Sequence, residues 1–233
     1  TPTGFRLIEV RIVFCDDVDG WQATPEGDSL DLAIGRSDNA PDRKVIIISS
    51  PTIKDFSRIE YEFSRTDKRF FYVPCPHCDH GQILRFGGKD LDYGLKLKDK
   101  DPETTYYLCE HCHRAIQEWH KTEMTNLGLW KASASFTNRA GFHISRFYSL
   151  FYPWKKIVEA WLNAQSRPTK LQVVINTMFG ETYEDKSETV QSGGLYERRE
   201  SFGPEVPDEC AKILTIGADI QDNRIEIEVP AWG

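Results

Sequence analysis

Two pairs of cysteines have the spacing of metal ligands. Cys75 and Cys78 form one CxxC pair, Cys109 and Cys112 form a second, and 30 residues (79 to 108) lie between the pairs. Each pair can direct two thiolates at one ion, and the overall spacing is close to that of a tetrahedral four-cysteine zinc ribbon. Because four cysteines leave no position for water, we expect the zinc to be structural and not catalytic.

Two alternatives use the same cysteines, namely two disulfide bonds or a redox pair. Disulfides are typical of exported chains, and this sequence does not begin with a basic region, an apolar stretch and a cleavage site. A redox CxxC normally opens a helix after a buried strand and does not occur twice. We therefore favour zinc. We expect His77 and His111 to be exposed or to lie outside the ligand set, and Cys15 and Cys210 to be buried small apolar residues.

Two aspartates follow the apolar run from Val10 to Cys15. Asp16 and Asp17 would lie at the carboxyl end of a strand, as in the Walker B motif of nucleoside triphosphatases, where one carboxylate binds magnesium and the next faces the attacking water. The alternative is a strand that simply ends in an acidic turn. No GxxxxGK[ST] phosphate loop occurs in the chain. We therefore expect the phosphate-binding half of such an ATPase to lie upstream of Thr1.

A second apolar run, Val45 to Ile48, leads into a polar loop that contains Ser49, Ser50 and Thr52. Runs that are apolar on both faces are typical of a parallel sheet covered on both sides. Polar residues at the carboxyl end of such a strand lie where these sheets bind ligands. The alternative is a strand followed by a simple proline turn.

A third acidic strand end lies near the end of the sequence. A buried apolar strand is predicted over Ile213 to Ala218, and Asp219 follows it directly. A turn around Asp222 and Asn223 would then lead into an alternating strand. Metal-dependent nucleases of the RNase H type begin with such a hairpin, in which the first aspartate helps to bind two divalent ions. Hairpins with acidic turns also occur without any such function.

Helical patterns follow the second cysteine pair. Pro153 suits the first turn of one helix, and Gly180 suits the end of a second. The apolar residues expected to face the core are Ile157, Val158, Trp161, Leu162 and Ala164 in the first helix and Leu171, Val174, Ile175 and Met178 in the second.

Aromatic residues crowd the segment 140–154, AGFHISRFYSLFYPW. We predict a buried aromatic strand there. The alternative is base stacking on nucleic acid, with His143 and Arg146 interleaved among the rings. Segment 185–208 is polar and rich in glycine, proline and charge, which predicts a linker.

The chain has 233 residues, with 39% hydrophobic and 28% charged residues, which is ordinary for a globular protein of two or three units. No apolar run is long enough for a membrane span. The net charge of −7 excludes a uniform basic surface for nucleic acid. Three basic clusters could still contact phosphate: Arg65 with Lys68 and Arg69, Lys96 with Lys98 and Lys100, and Arg198 with Arg199.

Seven segments, taken in order, resemble the phage terminase large-subunit family of the lambda type, the GpA-like packaging motors. They are RIVFCDDVDGW with EGD, IIISSPTI, RFFYVPCPHC, YYLCEHC, GFHISRFYSLFYPW, FGETYED and TIGADIQDNRIEIEV. The resemblance runs from about Val10 to Gly233. The order and spacing of the seven segments are more specific than any one of them.

The resemblance implies an enzyme with two activities. In this family an N-terminal ATPase translocates double-stranded phage DNA into an empty capsid shell, and a C-terminal RNase H-like nuclease cuts the concatemer. Asp16 and Asp17 match the Walker B pair, and the loop from Ser50 to Thr52 matches the loop that couples hydrolysis to movement. Asp219 matches the first metal-binding carboxylate of the nuclease.

The resemblance also implies cofactors and partners. The cofactors are structural Zn²⁺, held by Cys75, Cys78, Cys109 and Cys112 in a zinc-binding insertion, together with ATP and Mg²⁺ or Mn²⁺ in the full-length parent. The partners are double-stranded DNA, a small terminase subunit, the portal protein of the capsid and further copies in a homo-oligomeric motor, with no membrane. The expected location is the cytoplasm of the bacterial host.

The expected fold class is α/β. The expected units are the C-terminal part of a P-loop ATPase sheet (1–70), a four-cysteine zinc-ribbon insertion (71–120), an aromatic and helical segment that completes the ATPase region (121–184), the linker (185–208) and the first hairpin of an RNase H-like nuclease domain (209–233).

The sequence departs from the family at one Walker B position, because Asp17 stands where glutamate is usual. The phosphate loop and the later nuclease carboxylates are also absent from the 233 residues. We therefore expect this stretch alone to be inactive. The competing interpretation is a non-enzymatic zinc-ribbon module that binds nucleic acid or acts as a scaffold.

Overall fold

Two parallel strands begin the described part of the chain. The computed structural model describes residues 9–88, 91–184, 212–221, 224–229 and 231–232. Strand β1 (Ile12–Asp16) pairs in parallel with β2 (Lys44–Ile48), and Asp16 lies opposite Ile48 in the register. Both apolar runs therefore form the predicted strands, and their carboxyl ends meet at one edge of the sheet.

Helix α1 (Ser29–Ile34) lies in the connection between these strands. The side chain of Asp28 accepts hydrogen bonds from the backbone N–H groups of Leu30 (2.9 Å) and Asp31 (3.3 Å), which caps the first turn. A small core forms on one face of the strand pair. Its buried members are Val13, Cys15, Val18 and Leu30.

The opposite face of the β1–β2 pair is exposed. Phe14 is 59% exposed, and Ile12, Ile46 and Ile48 are also exposed. The prediction of a sheet covered on both sides is therefore wrong for the described residues. The apolar runs do form parallel strands, but along each strand only every second side chain is buried or half-buried among the described residues.

Two sheets surround the cysteines, one mixed and one antiparallel. Strand β3 (Arg69–Pro74) pairs with β4 (Gly81–Gln82), and β5 (Gly94–Lys98), β6 (Asp101–Leu108) and β7 (Ala115–Ile116) form the second sheet. Strand β8 (Leu129–Ala132) pairs antiparallel with β3, and β9 (Phe142–His143) pairs in parallel with it. We call residues 69–132 the cysteine lobe.

Each CxxC pair lies in the turn of a hairpin. The first turn joins β3 to β4, where Val73 lies opposite Gln82. The second joins β6 to β7, where Leu108 lies opposite Ala115. The two turns have the same backbone hydrogen bonds, since Cys75 N–H donates to the carbonyl of His80 (2.9 Å) and Cys109 N–H to that of Arg114 (3.1 Å).

Helices complete the first part of the chain. These are α2 (Arg58–Ser64), α3 (Lys121–Asn126), α4 (Trp154–Ala164) and α5 (Pro168–Val174), and α5 continues into a π-helical turn (Ile175–Phe179). Both predicted helices after the second cysteine pair are confirmed. Gly180 ends the π-helical turn with φ 69°, a conformation that glycine adopts without a steric penalty.

The core of the cysteine lobe is continuous with α4 and the end of α5. Trp154, Ile157 and Val158 are fully buried in α4, and they pack with lobe residues such as Tyr107 and Ile116. The Trp154 indole N–H donates to the carbonyl of Phe147 at 2.8 Å. One apolar core therefore joins the two sheets to the helices.

The segment 140–154 does not form the predicted buried aromatic strand. Only β9 pairs as a strand, and a short 3-10 turn follows at Arg146–Tyr148. Phe147 and Tyr148 are buried, whereas Phe151 is 98% exposed. The rings divide between core and surface because the chain turns too often here to keep one face inward.

The structure divides into two units, Thr1–Asp185 and Lys186–Gly233. In the second unit, β10 (Ile213–Leu214) pairs with β13 (Ala231–Trp232), and β11 (Gly217–Gln221) forms the predicted antiparallel hairpin with β12 (Arg224–Glu228).

Two predictions about this hairpin are wrong. Residues Ile213 to Ala218 are divided between two strands that pair with different partners, and they do not form one strand. The predicted buried position of that strand is also wrong, because Ile216 is 73% exposed. Cys210, the Arg198–Arg199 cluster, the 185–208 linker and the turn at Asp222–Asn223 lie outside the described residues.

Candidate metal centre and strand-end loops

The fold brings the four cysteines of the two turns together. All four Sγ atoms lie within 4.8 Å of one another. Cys75 Sγ is 3.8 Å from Cys112 Sγ, and Cys78 Sγ is 3.9 Å from Cys109 Sγ. A zinc ion with Zn–S bonds of about 2.3 Å requires tetrahedral S–S edges of roughly 3.8 Å. The sulfur positions therefore fit one tetrahedral ion, and they are too far apart for disulfide bonds.

Backbone N–H groups point at the first sulfur of each pair. His77 N–H donates to Cys75 Sγ and His111 N–H donates to Cys109 Sγ, both at 3.4 Å. Such donors favour the thiolate form that a metal ion needs. Because the two turns repeat this arrangement, the ligand set consists of two equivalent halves.

The thiols differ in their proton affinity. Burial raises the pKa of Cys75 to about 12, and burial also raises the pKa of Cys109. The backbone N–H of Arg114 lowers the pKa of Cys112 to about 7. Buried thiolates without a counter-charge are costly, and a coordinated divalent metal ion supplies that charge and deprotonates its thiol ligands.

Side chains beside the cysteines tie the two turns to each other. His80 Nε2 lies 2.9 Å from a carboxylate oxygen of Glu110, and the His80 ring stacks on His111 with centroids 4.9 Å apart. His77 Nε2 lies 3.0 Å from the carbonyl oxygen of Ala115. Both His77 and His111 are exposed, as expected.

The aspartates at the end of β1 are accessible. Asp16 and Asp17 are both exposed, and Asp17 has a left-handed backbone with φ 52°. The Trp21 indole N–H donates to the carbonyl of Asp16 at 3.0 Å. The chain therefore turns sharply after Asp16, at the same sheet edge where β2 ends.

A further aspartate, Asp19, connects this turn to the loop after β2, residues 49–53, which we call the β2 loop. Its carboxylate accepts hydrogen bonds from the hydroxyls of Thr52 (3.0 Å) and Ser57 (2.6 Å) and from the Ile59 N–H (2.8 Å). Its own N–H donates to Ser49 Oγ at 3.2 Å. The sequence analysis missed Asp19, because an aspartate before a glycine has the pattern of an ordinary turn.

The two predicted residues of the β2 loop have different surroundings. The hydroxyl of Thr52 donates to Asp19, so it is already engaged in holding the loop. Ser50 is exposed, and its carbonyl accepts a hydrogen bond from Ser49 Oγ at 3.1 Å. Ser50 is therefore a polar residue of the loop whose side chain is accessible.

The β2 loop also contacts the segment after α5. Asn176, in the π-helical turn, donates through Nδ2 to the carbonyls of Pro51 (2.5 Å) and Thr52 (2.7 Å). Tyr183 N–H donates to the Thr52 carbonyl at 2.8 Å, and Lys54 N–H donates to the Tyr183 carbonyl at 3.0 Å. No sequence pattern signals these contacts, which join residues more than 120 positions apart.

Several residues of the predicted basic clusters already have partners. Arg65 pairs with Glu62 (3.3 Å), and Arg69 pairs with the buried carboxylate of Asp67 (2.7 Å). The ammonium of Lys96 donates to the backbone carbonyl of Gly88 at 3.0 Å. These pairings reduce the charge available for phosphate at the first two clusters.

Asp219 lies in β11 of the second unit, where it occupies the same register position as Glu226 of β12. Two acidic residues therefore lie opposite each other across the hairpin. Glu226 was not singled out from the sequence, although its position follows once the strand register is fixed.

Comparisons with known proteins match both parts of the chain to one protein family. A family model described as phage terminase large subunit gpA, ATPase domain, matches residues 1–130. The model of the terminase large subunit gpA endonuclease domain matches residues 139–233. The chain belongs to the GpA family of phage terminase large subunits.

Two relatives show the extent of the similarity. The terminase large subunit of Escherichia phage lambda is 32% identical over 239 residues, covering 94% of this chain and 36% of the relative. That of Enterobacteria phage P21 is 31% identical over 252 residues, covering 98% of this chain and 39% of the relative. The chain thus spans little more than a third of the length of these terminases. No solved structure matches it.

The boundary between the two family models does not coincide with the boundary between the structural units. Residues 139–184 match the endonuclease model, yet they pack in the first unit with the cysteine lobe. Within the described ranges, no helix has both the length and the apolar character needed to cross a bilayer.

Proposed function

We propose that this chain is part of a viral DNA-packaging motor that couples ATP hydrolysis to the translocation of double-stranded DNA and cuts concatemeric DNA with a metal-dependent endonuclease. The observation that carries the proposal is the parallel β1–β2 pair, whose adjacent ends present Asp16 and the β2 loop at one edge. The family models for an ATPase and an endonuclease domain support it.

The ATPase part would use the carboxyl edge of the strand pair, where parallel sheets bind ligands. Asp16 is exposed at the end of β1 and would hold the magnesium ion of ATP. A bound magnesium ion would neutralise charge on the phosphates. Asp17 would orient the attacking water, and its side chain is one methylene shorter than the usual glutamate. The P-loop sheet that completes this site belongs to the proposed full-length protein.

The four cysteines would hold one structural zinc ion. The S–S distances of 3.8 and 3.9 Å fit the tetrahedral geometry, and no fifth ligand position is needed. The ion would fasten the β3–β4 turn to the β6–β7 turn. In this way it would stabilise an insertion beside the motor without taking part in its chemistry.

The endonuclease part would begin at the β11–β12 hairpin, as the first element of an RNase H-like domain. Asp219 would bind one of two divalent ions, Mg²⁺ or Mn²⁺. Two-metal cleavage needs several carboxylates around ions roughly 4 Å apart, so further ligands are required besides Asp219. The 233 residues alone are therefore expected to neither hydrolyse ATP nor cut DNA.

The proposed assembly follows from this function. The partners would be double-stranded DNA, a small terminase subunit, the capsid portal protein and further copies of the large subunit, in the cytoplasm of the bacterial host. The proposed domains are 1–70 and 121–184 for the ATPase region, 71–120 for the zinc insertion, 185–208 for the linker and 209–233 for the start of the nuclease.

The test uses the full-length protein with two charge-removing variants. Asp16→Asn should lower the ATPase kcat by at least about 100-fold while DNA cleavage persists, because a magnesium ligand is lost. Asp219→Asn should abolish Mn²⁺-dependent cleavage while ATP hydrolysis persists. The readouts are phosphate release and cutting of linear concatemers.

Matched controls are Asp42→Asn, in an exposed loop of the first unit, and Glu228→Gln, on β12. Both should leave the two activities unchanged. A full-length protein that binds DNA but neither hydrolyses ATP nor cuts DNA would contradict the proposal. That result would favour the alternative of a non-enzymatic zinc-ribbon module.

A further inference from the structure

The β2 loop is held by two buried or half-buried side chains that bind different groups of it. The Asp19 carboxylate accepts from the Thr52 hydroxyl. Asn176 donates to the backbone carbonyls of Pro51 and Thr52. Asn176 is only 5% exposed, so these two bonds are shielded from water.

The amide of Asn176 suits this position for a chemical reason. Its NH₂ group has two hydrogens, and each is donated to a different loop carbonyl. Its Oδ1 is buried without a hydrogen-bond partner among the described residues. The side chain therefore acts through its two donors, and replacing the NH₂ by an acceptor would set three oxygen atoms against one another.

Asn176 lies in the π-helical turn that follows α5. Residues Ile175–Phe179 continue α5 with a widened turn, and such turns are rare and frequently occur at functional sites. The chain then turns at Gly180 and returns to the loop, where Ile53 and Tyr183 form a parallel bridge. Asn176 and Tyr183 thus bind the same loop from one continuous segment, residues 175–183.

These contacts join the two regions that the family models distinguish. The β2 loop lies within residues 1–130, matched by the ATPase model, and the 175–183 segment lies within residues 139–233, matched by the endonuclease model. If the loop moved, the hydrogen bonds from Asn176 and Tyr183 would either break or pull the 175–183 segment with the loop.

We propose that Asn176 is a positioning residue that links the β2 loop to the 175–183 segment, so that movement of the loop during ATP hydrolysis is transmitted along the chain. Asp19, through the side chains of Thr52 and Ser49, fixes the loop to the turn after β1. This inference rests on the proposed ATPase function, because the loop needs a reaction that moves it.

The experiment compares Asn176→Asp with Asn176→Ser in the full-length protein. Aspartate keeps the shape but loses both donors, and serine is too short to reach the two carbonyls and adds no charge. The control is Thr177→Val, on the same turn, whose hydroxyl donates only to the Val173 carbonyl among the described contacts (2.7 Å). If only the aspartate variant fails to fold, the serine variant still provides the test.

Hydrogen exchange gives the first readout. In both variants, peptides containing the amides of Lys54 and Tyr183 should exchange about tenfold faster, because their bonds across the loop open more often. Peptides containing the amides of Cys75 and Cys109 should exchange at the wild-type rate. Thr177→Val should change none of these rates.

ATP turnover gives the second readout. Both Asn176 variants should lose most of the stimulation of kcat by DNA, by about fivefold or more, while KM for ATP stays within about twofold. A purely structural defect would lower basal turnover and DNA-stimulated turnover alike.

Wild-type exchange at Lys54 and Tyr183, or full DNA stimulation, in both variants would overturn the inference. If the wild-type protein hydrolyses no ATP, the proposed function fails and with it the transmission of movement. The exchange rates would then decide only whether Asn176 holds the loop.

Discussion

The cysteine lobe and the β1–β2 pair differ in how much of their apolar surface they bury. The lobe buries its apolar residues between two sheets, α4 and α5, and four cysteines join its turns. The strand pair has only a small core on one face and leaves residues such as Phe14 on the other face exposed. Its carboxyl edge also presents charged and polar residues to solvent.

The difference shows where each region obtains its rigidity. The lobe is fixed by a large shared core, and its four cysteines form a site that fits a metal ion. The end of the strand pair is fixed instead by hydrogen bonds of the β2 loop with Asp19 and with Asn176. Hydrogen bonds of this kind can break and reform at modest cost, which suits a region expected to move.

The strongest test of this contrast removes a metal ligand. Cys75→Ser should reduce zinc from one ion per chain to nearly none and unfold the cysteine lobe, because structural zinc contributes about 10–16 kcal/mol to folding in small zinc domains. Elemental analysis and thermal unfolding measure both effects. Cys15→Ala, in the buried core of the strand pair, is the control and should keep one zinc per chain. A folded, zinc-free wild-type protein would contradict the metal site.

A matched pair of truncations compares the two cores directly. Val158→Ala should lower the free energy of unfolding by about 2–3 kcal/mol, because Val158 is fully buried in the large core. Val13→Ala should cost only about 1 kcal/mol, since Val13 is at the edge of the small core and its neighbours can relax. Chemical denaturation measures both. Equal losses would show that the strand pair is packed as firmly as the lobe.

The smallest expected effect concerns a buried charge at the start of the lobe. The side chain of Asp67 is 1% exposed and accepts from Arg69 Nε (2.7 Å) and from the Gly141 N–H (3.1 Å). Burial raises the pKa of Asp67, but the hydrogen bonds from Arg69 and Gly141 and the Arg69 charge outweigh it, so the pKa lies below the usual value of 3.8.

Because the folded-state pKa is lowered, the charged form stabilises the protein above the unfolded-state pKa, and this contribution is lost as the pH falls through the folded-state value. Asp67→Asn should lower the melting temperature at pH 7, and the difference from wild type should shrink below about pH 4. Asp42→Asn is the exposed control. A difference that does not depend on pH would show that the charge of Asp67 contributes nothing.

Local patterns predicted much of the fold. The CxxC spacing predicted two cysteine pairs that could share a metal ion, and the fold brings all four cysteines together. The apolar period predicted α4 and the helix that ends at Gly180. The prediction failed for the aromatic segment 140–154 and for the strand Ile213 to Ala218, because apolar content alone does not show how often the chain turns.

The sequence by itself determined the family, the four cysteines with metal-ligand spacing and the strands that end at Asp16 and Ile48, because these depend on residue type and on spacing along the chain. Only the tertiary structure showed that Asp19 and Asn176 hold the β2 loop. Their partners lie more than 30 and 120 positions away, respectively, and neither residue has a local pattern that differs from an ordinary turn or helix position. Hydrogen bonds over such distances along the chain depend on how the elements pack. That packing cannot be read from the residues next to Asp19 or Asn176 in the sequence.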